Sequence, residues 1–342
     1  VTKTNGPRRD TRIPALRNFA ISITVLNIAG YTFLGFEQPW IWPLLALATA
    51  YGLEILLEII GARTEKRAPR FLGNGLRGLV EFLYPAHITA LAVQMLIYVN
   101  DQMFTMIFAV AAAISGKWIL RAPVRGRLRH YMNPSNLGIT VILLLFPWVS
   151  IAPPYQFTEY LTGAGDWIVP AVVLVAGSIL NGMLTGRMWL IGGFLGMFAV
   201  QAIFRSVLFD VSMPAALAMM TSVAFILFVN YMITDPGTSP FRPASQIAFG
   251  GGVAVAYGLL TGMHVVYGLF FATTAVCLIR GLFLWAVHIS HKVREAERAQ
   301  QPAVVAPVGS ETGGEPKATV DGPAQPAVAP DGDPIEKETV RA

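Results

Sequence analysis

Asn133-Pro134-Ser135-Asn136-Leu137-Gly138 and Thr234-Asp235-Pro236-Gly237-Thr238-Ser239-Pro240 are two polar, proline-broken segments set among long apolar stretches. Each follows one such stretch and precedes another. Asn or Asp before Pro is helix-start chemistry: the side-chain oxygen accepts from free N–H groups, and Pro fits the first turn because it has no N–H to leave unpaired. In lipid, non-helical backbone survives only where protein or a watery cavity covers it. The two breaks are therefore the first candidate sites.

The flanking composition decides the class. Of 342 residues, 54% are hydrophobic and only 13% charged, and the apolar runs recur at close to membrane length. This is the pattern of an all-α polytopic membrane protein. A single cysteine, Cys277, excludes an internal disulfide, a Cys-based zinc site and a cysteine-ligated iron–sulfur cluster. The five histidines show no two-His metal spacing, so no metal site is expected, and His288 and His291 read as solvated at a helix end. The net charge of +5 does not point to nucleic acid, because the basic residues cluster beside apolar runs. The N-terminus is basic and lacks a small-residue cleavage pattern, so no cleavable signal peptide is expected.

Ten spans can be marked, at 19–36, 41–60, 79–99, 103–120, 137–152, 167–184, 188–208, 214–233, 247–260 and 265–287. The fifth and ninth are short. Basic residues precede span 1 (Lys3, Arg8, Arg9, Arg12, Arg17) and follow spans 2 (Arg63, Lys66, Arg67, Arg70), 4 (Lys117, Arg121, Arg125, Arg127, Arg129), 6 (Arg187), 8 (Arg242) and 10 (Lys292, Arg294, Arg298). With ten spans all of these fall on one side, and Arg205 is the exception on the other. The positive-inside rule then puts both termini and both breaks in the cytoplasm. Ten spans can also divide into two inverted sets of five with a site between them. The expected organisation is a basic N-terminus at 1–17, a membrane domain at 18–290 and a disordered cytoplasmic tail at 291–342. The end of that tail is rich in Ala, Pro, Gly and acidic residues and has no aromatic.

At each break, N–H groups at the positive end of a helix dipole suit a phosphate or carboxylate. The first break offers Asn133, Pro134, Ser135, Asn136 and Gly138. The second offers Thr234, Asp235, Pro236, Gly237, Thr238 and Ser239, with Asp235 opposing an anion directly beside it. The alternative is that both are ordinary capped turns. Ionisable residues within spans come next, because charge in lipid is costly. Lys117 and Glu58 lie close enough to a span end to snorkel, and Glu81 and His87 lie near the start of span 3. Glu54 and Arg280 lie deeper and read either as structural ion-pair members or as site residues; one possibility is that they pair with each other. The loop 150–166 carries aromatics suited to an interface and enough Gly to line an entrance.

The stretch 132–147 (MNPSNLGITVILLLFP) resembles the Asn-Pro segment and following helix of the RnfD/NqrB membrane subunits, and 231–240 (YMITDPGTSP) resembles their Thr-Asp-Pro segment. The resemblance covers roughly 79–282. It implies ten helices in two inverted five-helix repeats, a urea-transporter-like fold, and flavin in a redox-driven ion pump. That family attaches FMN to a Thr in a Ser-Gly-Ala-Thr type motif. Here the nearest match is Thr162-Gly163-Ala164-Gly165, with Gly at the acceptor position, so covalent FMN is not expected. A closer resemblance joins 146–159 (FPWVSIAPPYQFTE), 163–167 (GAGDW) and 230–240 (NYMITDPGTSP) to the UnbU-type membrane proteins of enediyne antibiotic clusters.

This second resemblance implies a membrane subunit of an enediyne-core maturation complex in a bacterial inner (cytoplasmic) membrane. Its partners would be the bilayer, an apolar polyene and other proteins of the same biosynthetic cassette. No catalytic nucleophile or metal constellation is legible. An oxidative role would need a non-covalent flavin or quinone, or a redox partner. The alternative expectations are a transporter or channel for a small molecule or the apolar product, and a structural anchor that recruits soluble partners through basic loops.

Overall fold

A computed structural model describes residues 12–124, 126–152 and 162–300. The packing below is that of the compact unit Val1–Glu295. Helix α1 (Arg12–Thr32), α2 (Ile41–Thr64) and α3 (Gly75–Leu96) lead into the short strand β1 (Ile97–Tyr98) and α4 (Met103–Ile119). A hairpin of β2 (Arg121–Val124) and β3 (Arg127–His130) precedes α5 (Pro134–Leu145) and strand β4 (Ser150–Ile151). The second half holds α6 (Gly165–Ile179), α7 (Met188–Phe209), α8 (Met213–Ala218), α9 (Val223–Leu227), α10 (Pro243–Gly262) and α11 (Gly268–Gln300). Two π-helical turns, Leu180–Thr185 and Phe228–Met232, extend α6 and α9.

Among the described residues, seven helices are long and apolar enough to cross a membrane. An eighth is counted if the bent pair Met213–Thr221 and Val223–Met232 is one span. The fourth and fifth apolar stretches form α4, of 17 residues, and α5, of 12. At 1.5 Å per residue α5 reaches about 18 Å, well short of a ~30 Å hydrocarbon core. The outward faces are apolar: Ile21, Val25 and Ile28 on α1, Ile203, Phe204 and Val207 on α7, and Ile279, Leu282 and Phe283 on α11 are all exposed. Water would not tolerate so much contiguous apolar surface, whereas lipid does.

Three features depart from the sequence reading. The stretch 214–233 is not a single straight helix. Ser222 adopts extended backbone (ψ 142°), its hydroxyl accepts from the Phe225 N–H at 3.2 Å, and the axis bends by 64° there. A serine in an apolar run gives no hydropathy signal, but its capping hydroxyl can start a new helix. Second, α11 begins only after the left-handed residues His264 and Tyr267 and runs to Gln300. Residues 291–300, read from sequence as tail, are therefore helical, and their Lys, Arg, Glu and Ala are good helix formers. Residues 301–342 lie outside the described residues. Third, β1 pairs with β4 and β2 with β3, both antiparallel, where no strands were expected. Gly126, at φ +75°, turns the β2–β3 hairpin, a conformation glycine adopts without a Cβ penalty.

Small residues let the helices approach closely. A Cβ on Gly250 of α10 would lie 2.9 Å from the Phe194 backbone nitrogen of α7. A Cβ on Gly138 of α5 would lie 2.6 Å from the Ala109 carbonyl oxygen of α4. Beside the α7–α10 crossing, Phe194, Phe198, Phe225, Phe228 and Tyr257 form a buried aromatic cluster with centroid separations of 4.9–5.8 Å.

Candidate functional site

The fold opens a cleft of 1830 Å³ walled by α1, α3, α6, α9 and the π turns. Ligand pockets usually hold about 300–1,000 Å³, so this one has room for a long molecule. Leu26, Ile88, Val173, Leu227 and Phe228 are among its apolar walls. Both breaks reach it, through Asn133, Pro134 and Ser135 on one side and Thr234, Asp235, Pro236 and Gly237 on the other. Arg70, Lys117, Arg121, Arg127, Arg129 and Arg187 line it too. Arg70 after span 2, four of the basic residues after span 4, Arg187 after span 6 and the two breaks therefore border one cavity.

The first break is the helix start expected from its sequence. Asn133 caps α5: its Oδ1 accepts from the Asn136 N–H at 2.9 Å and from the Ser135 hydroxyl at 2.9 Å, with Pro134 at the first helical position. The Asn133 Nδ2 donates to the Met232 carbonyl at 2.7 Å and so ties the first break to the π turn that leads into the second. Asn136 turns away from the cleft and donates to the Phe270 carbonyl (3.0 Å) and the Thr274 hydroxyl (2.7 Å) of α11. Gly138 serves the α4–α5 contact and does not line the cleft.

The second break is not a helix start. Asp235 closes a turn of its own: Oδ1 accepts from the Gly237 N–H (3.0 Å), Oδ2 from the Thr238 hydroxyl (3.1 Å), and the Asp235 carbonyl from the Ser239 N–H (2.9 Å) and hydroxyl (2.7 Å). Helix α10 begins at Pro243 instead. Asp side chains commonly bond the backbone two residues on, and here that bond uses the acceptor a helix cap would need. Thr238 and Ser239 are buried and bonded within this turn, so they present no hydroxyl to the cleft.

His130, at the end of β3, places Nε2 3.8 Å from Asp235 Oδ2. Burial pushes the Asp235 carboxyl up. The His130 ring, the Gly237 N–H and the Thr238 hydroxyl outweigh that effect and hold it below the usual carboxylate range. A depressed folded pKa adds stability above the unfolded value of about 3.9, and that stability is lost as pH falls through the folded pKa. Detergent-purified wild type is therefore expected to melt above Asp235→Asn at neutral pH, with the gap closing toward pH 3. A gap that stays constant with pH would contradict this reading.

The buried charges pair differently from the sequence expectation. Glu54 is 4% exposed and accepts from Lys117 Nζ at 2.6 Å and from Trp118 Nε1 at 3.4 Å. Its partner is therefore Lys117 and not Arg280. Arg280 stays half-buried on α11, away from the cleft. Neither Lys117 nor Glu58 snorkels. Glu58 is fully buried and bonds the Arg67 guanidinium and, at 2.8 Å, the Arg70 N–H. The chain turns back after α2 and brings its own cations to this carboxylate. His87 bridges the hydroxyls of Thr24 (2.7 Å) and Tyr51 (2.6 Å), and Glu81 pairs with Arg77.

Sequence reading missed two features of the cleft. Asn181 and Asn230 sit at the two π turns, and Asn181 Nδ2 donates to the Asn230 carbonyl at 2.7 Å. The available signal was a lone Asn within each apolar run. π turns inside helices frequently mark functional sites. The second feature is Arg187, read only as a topology charge. It is 4% exposed, its Nε has no hydrogen-bond partner, and its guanidinium lies 5.2 Å from the Phe241 ring centroid. Burial lowers its pKa and Asp235 partly restores it. Burying an ion costs several kcal/mol, whereas a desolvated cation–π contact returns about 2 kcal/mol. The Phe241 ring alone does not offset that cost.

In the loop 150–166, residues 153–161 lie outside the described residues. Gly165 opens α6. Among the described residues no group of three or more His, Cys, Asp or Glu could hold a metal ion. No protein-family model matches the chain, and no curated protein matches it significantly.

Proposed function

We propose that this protein is the membrane subunit of an enediyne-core maturation complex and holds an apolar polyene in its cleft. The reading takes the chain as UnbU-type and RnfD/NqrB-like, with ten spans in two inverted repeats, both termini cytoplasmic, in a bacterial inner membrane. The observation that carries it is a 1830 Å³ cleft with apolar helical walls and a cationic, break-lined end. A polyene made in the cytoplasm partitions into lipid, and such a cleft would collect it beside soluble partners of the same cassette. A non-covalent flavin or quinone fits the volume. Covalent FMN does not fit Gly165.

Deleting the gene in a producing strain tests the reading. Loss of enediyne core inside the cell is expected, with recovery on complementation by the intact chain. Purification alone and with cassette partners, followed by absorbance and cofactor extraction, tests the redox version. Absence of flavin, quinone, haem and metal from every preparation would remove electron transfer from the proposal.

A second reading is a transporter or channel. It is favoured by the 64° bend at Ser222 and the π turns beside the cleft, since transporters place broken helices at their binding sites. Intracellular build-up of finished product in the deletion strain would favour export over biosynthesis.

A further inference from the structure

Arg187 carries a buried charge. Among the described residues it enters no ion pair, and it lines the cleft beside the second break. A guanidinium keeps its proton in a protein, so the charge cannot be removed by neutralisation. Asp235 does not satisfy it, because its carboxyl oxygens bond Gly237 and Thr238 and face His130. Phe241 covers the guanidinium and orients it, and Arg129 places a second guanidinium 5.3 Å from the same ring centroid. Both guanidiniums border the cleft, and Leu26, Ile88, Val173, Leu227 and Phe228 are among its apolar walls.

We infer that Arg187 is a headgroup site: it receives the carboxylate or phosphate of an amphiphile whose apolar tail lies along α1, α3, α6 and α9. This deepens the reading of the cleft as a holder of an apolar chain and rests on it. A planar guanidinium pairs with carboxylate and phosphate through two parallel bonds. The ligand class is therefore an anionic, chain-bearing molecule rather than a plain hydrocarbon. Two sources share this chemistry, a polyene acid and an anionic lipid.

The probe is cis-parinaric acid, a conjugated polyene carboxylate that fluoresces on leaving water, with its methyl ester as the neutral comparator. Both are titrated into the full chain in neutral-lipid nanodiscs, with empty nanodiscs as background. The acid is expected to bind at least about tenfold more tightly than the ester, the weight of one charge-assisted hydrogen bond. Arg187→Gln should abolish that preference, and Arg187→Lys should keep part of it. Equal binding of acid and ester by the wild type overturns the headgroup site but leaves an apolar cleft. Failure of both to bind overturns the cleft reading as well. The wild-type comparison stands even if a variant fails to fold.

Dioleoyl phosphatidate and inorganic phosphate distinguish the sources. Displacement of the acid by phosphatidate supports a site open to lipid, and resistance to it supports one selective for the polyene acid. Displacement by inorganic phosphate alone, with no gain from a tail, overturns the amphiphile.

Discussion

Glu54→Leu should be the most damaging single change in the membrane domain, costing about 3–5 kcal/mol of stability. The variant leaves the Lys117 ammonium buried between α2 and α4 with its 2.6 Å partner gone. A buried charge stripped of its partner is far costlier than the pair it came from, because the desolvation cost remains and the attraction does not. The double variant Glu54→Leu/Lys117→Met removes both charges and keeps similar volume, so it should recover most of the loss. Thermal unfolding of the four proteins of this cycle in detergent measures the coupling. A double variant no more stable than Glu54→Leu would show that α2 and α4 do not depend on this pair.

Asn133 is expected to be the second most sensitive position, because its amide works in two directions. Asn133→Ala removes a helix cap, worth about 1 kcal/mol, and leaves the Met232 carbonyl without its side-chain donor, a further ~1–3 kcal/mol if that group is sealed from water. The two terms separate in Asn133→Asp, which keeps the cap acceptor but turns a second oxygen toward the Met232 carbonyl. If the 2.7 Å bond to Met232 matters, Asn133→Asp should be about as destabilised as Asn133→Ala. If capping is the whole role, Asn133→Asp should unfold like the wild type. Because this bond joins one break to the π turn leading into the other, loss of stability should come with weaker binding of the parinaric methyl ester in the cleft.

Much of the architecture was legible because it rests on short-range chemistry. Nine of the ten apolar stretches marked in the sequence form helix through most of their length, the stretch 214–233 being broken at Ser222, and Asn133-Pro134 starts α5 because cap and first turn lie within four residues of each other. The same local rule misread Asp235-Pro236. Asp235 has one set of acceptor oxygens, and the tight turn through Gly237 and Thr238 takes them before any helix can. Asn181 and Asn230 were visible as lone polar residues in apolar runs, but their meeting depends on α6 lying against α9.

The sequence by itself determined that this is a helical membrane chain, where its apolar stretches lie, and that Asn133 caps a helix. Hydropathy and capping act over one or a few turns, so no distant residue is needed to predict them. Only the tertiary structure decided that Glu54 pairs with Lys117 and not Arg280, and that Arg187 borders the cleft with no ion pair among the described residues. Those outcomes depend on which helices cross and how deeply. An ion pair 63 residues apart in sequence is chosen by a distance of a few ångströms that no local pattern encodes.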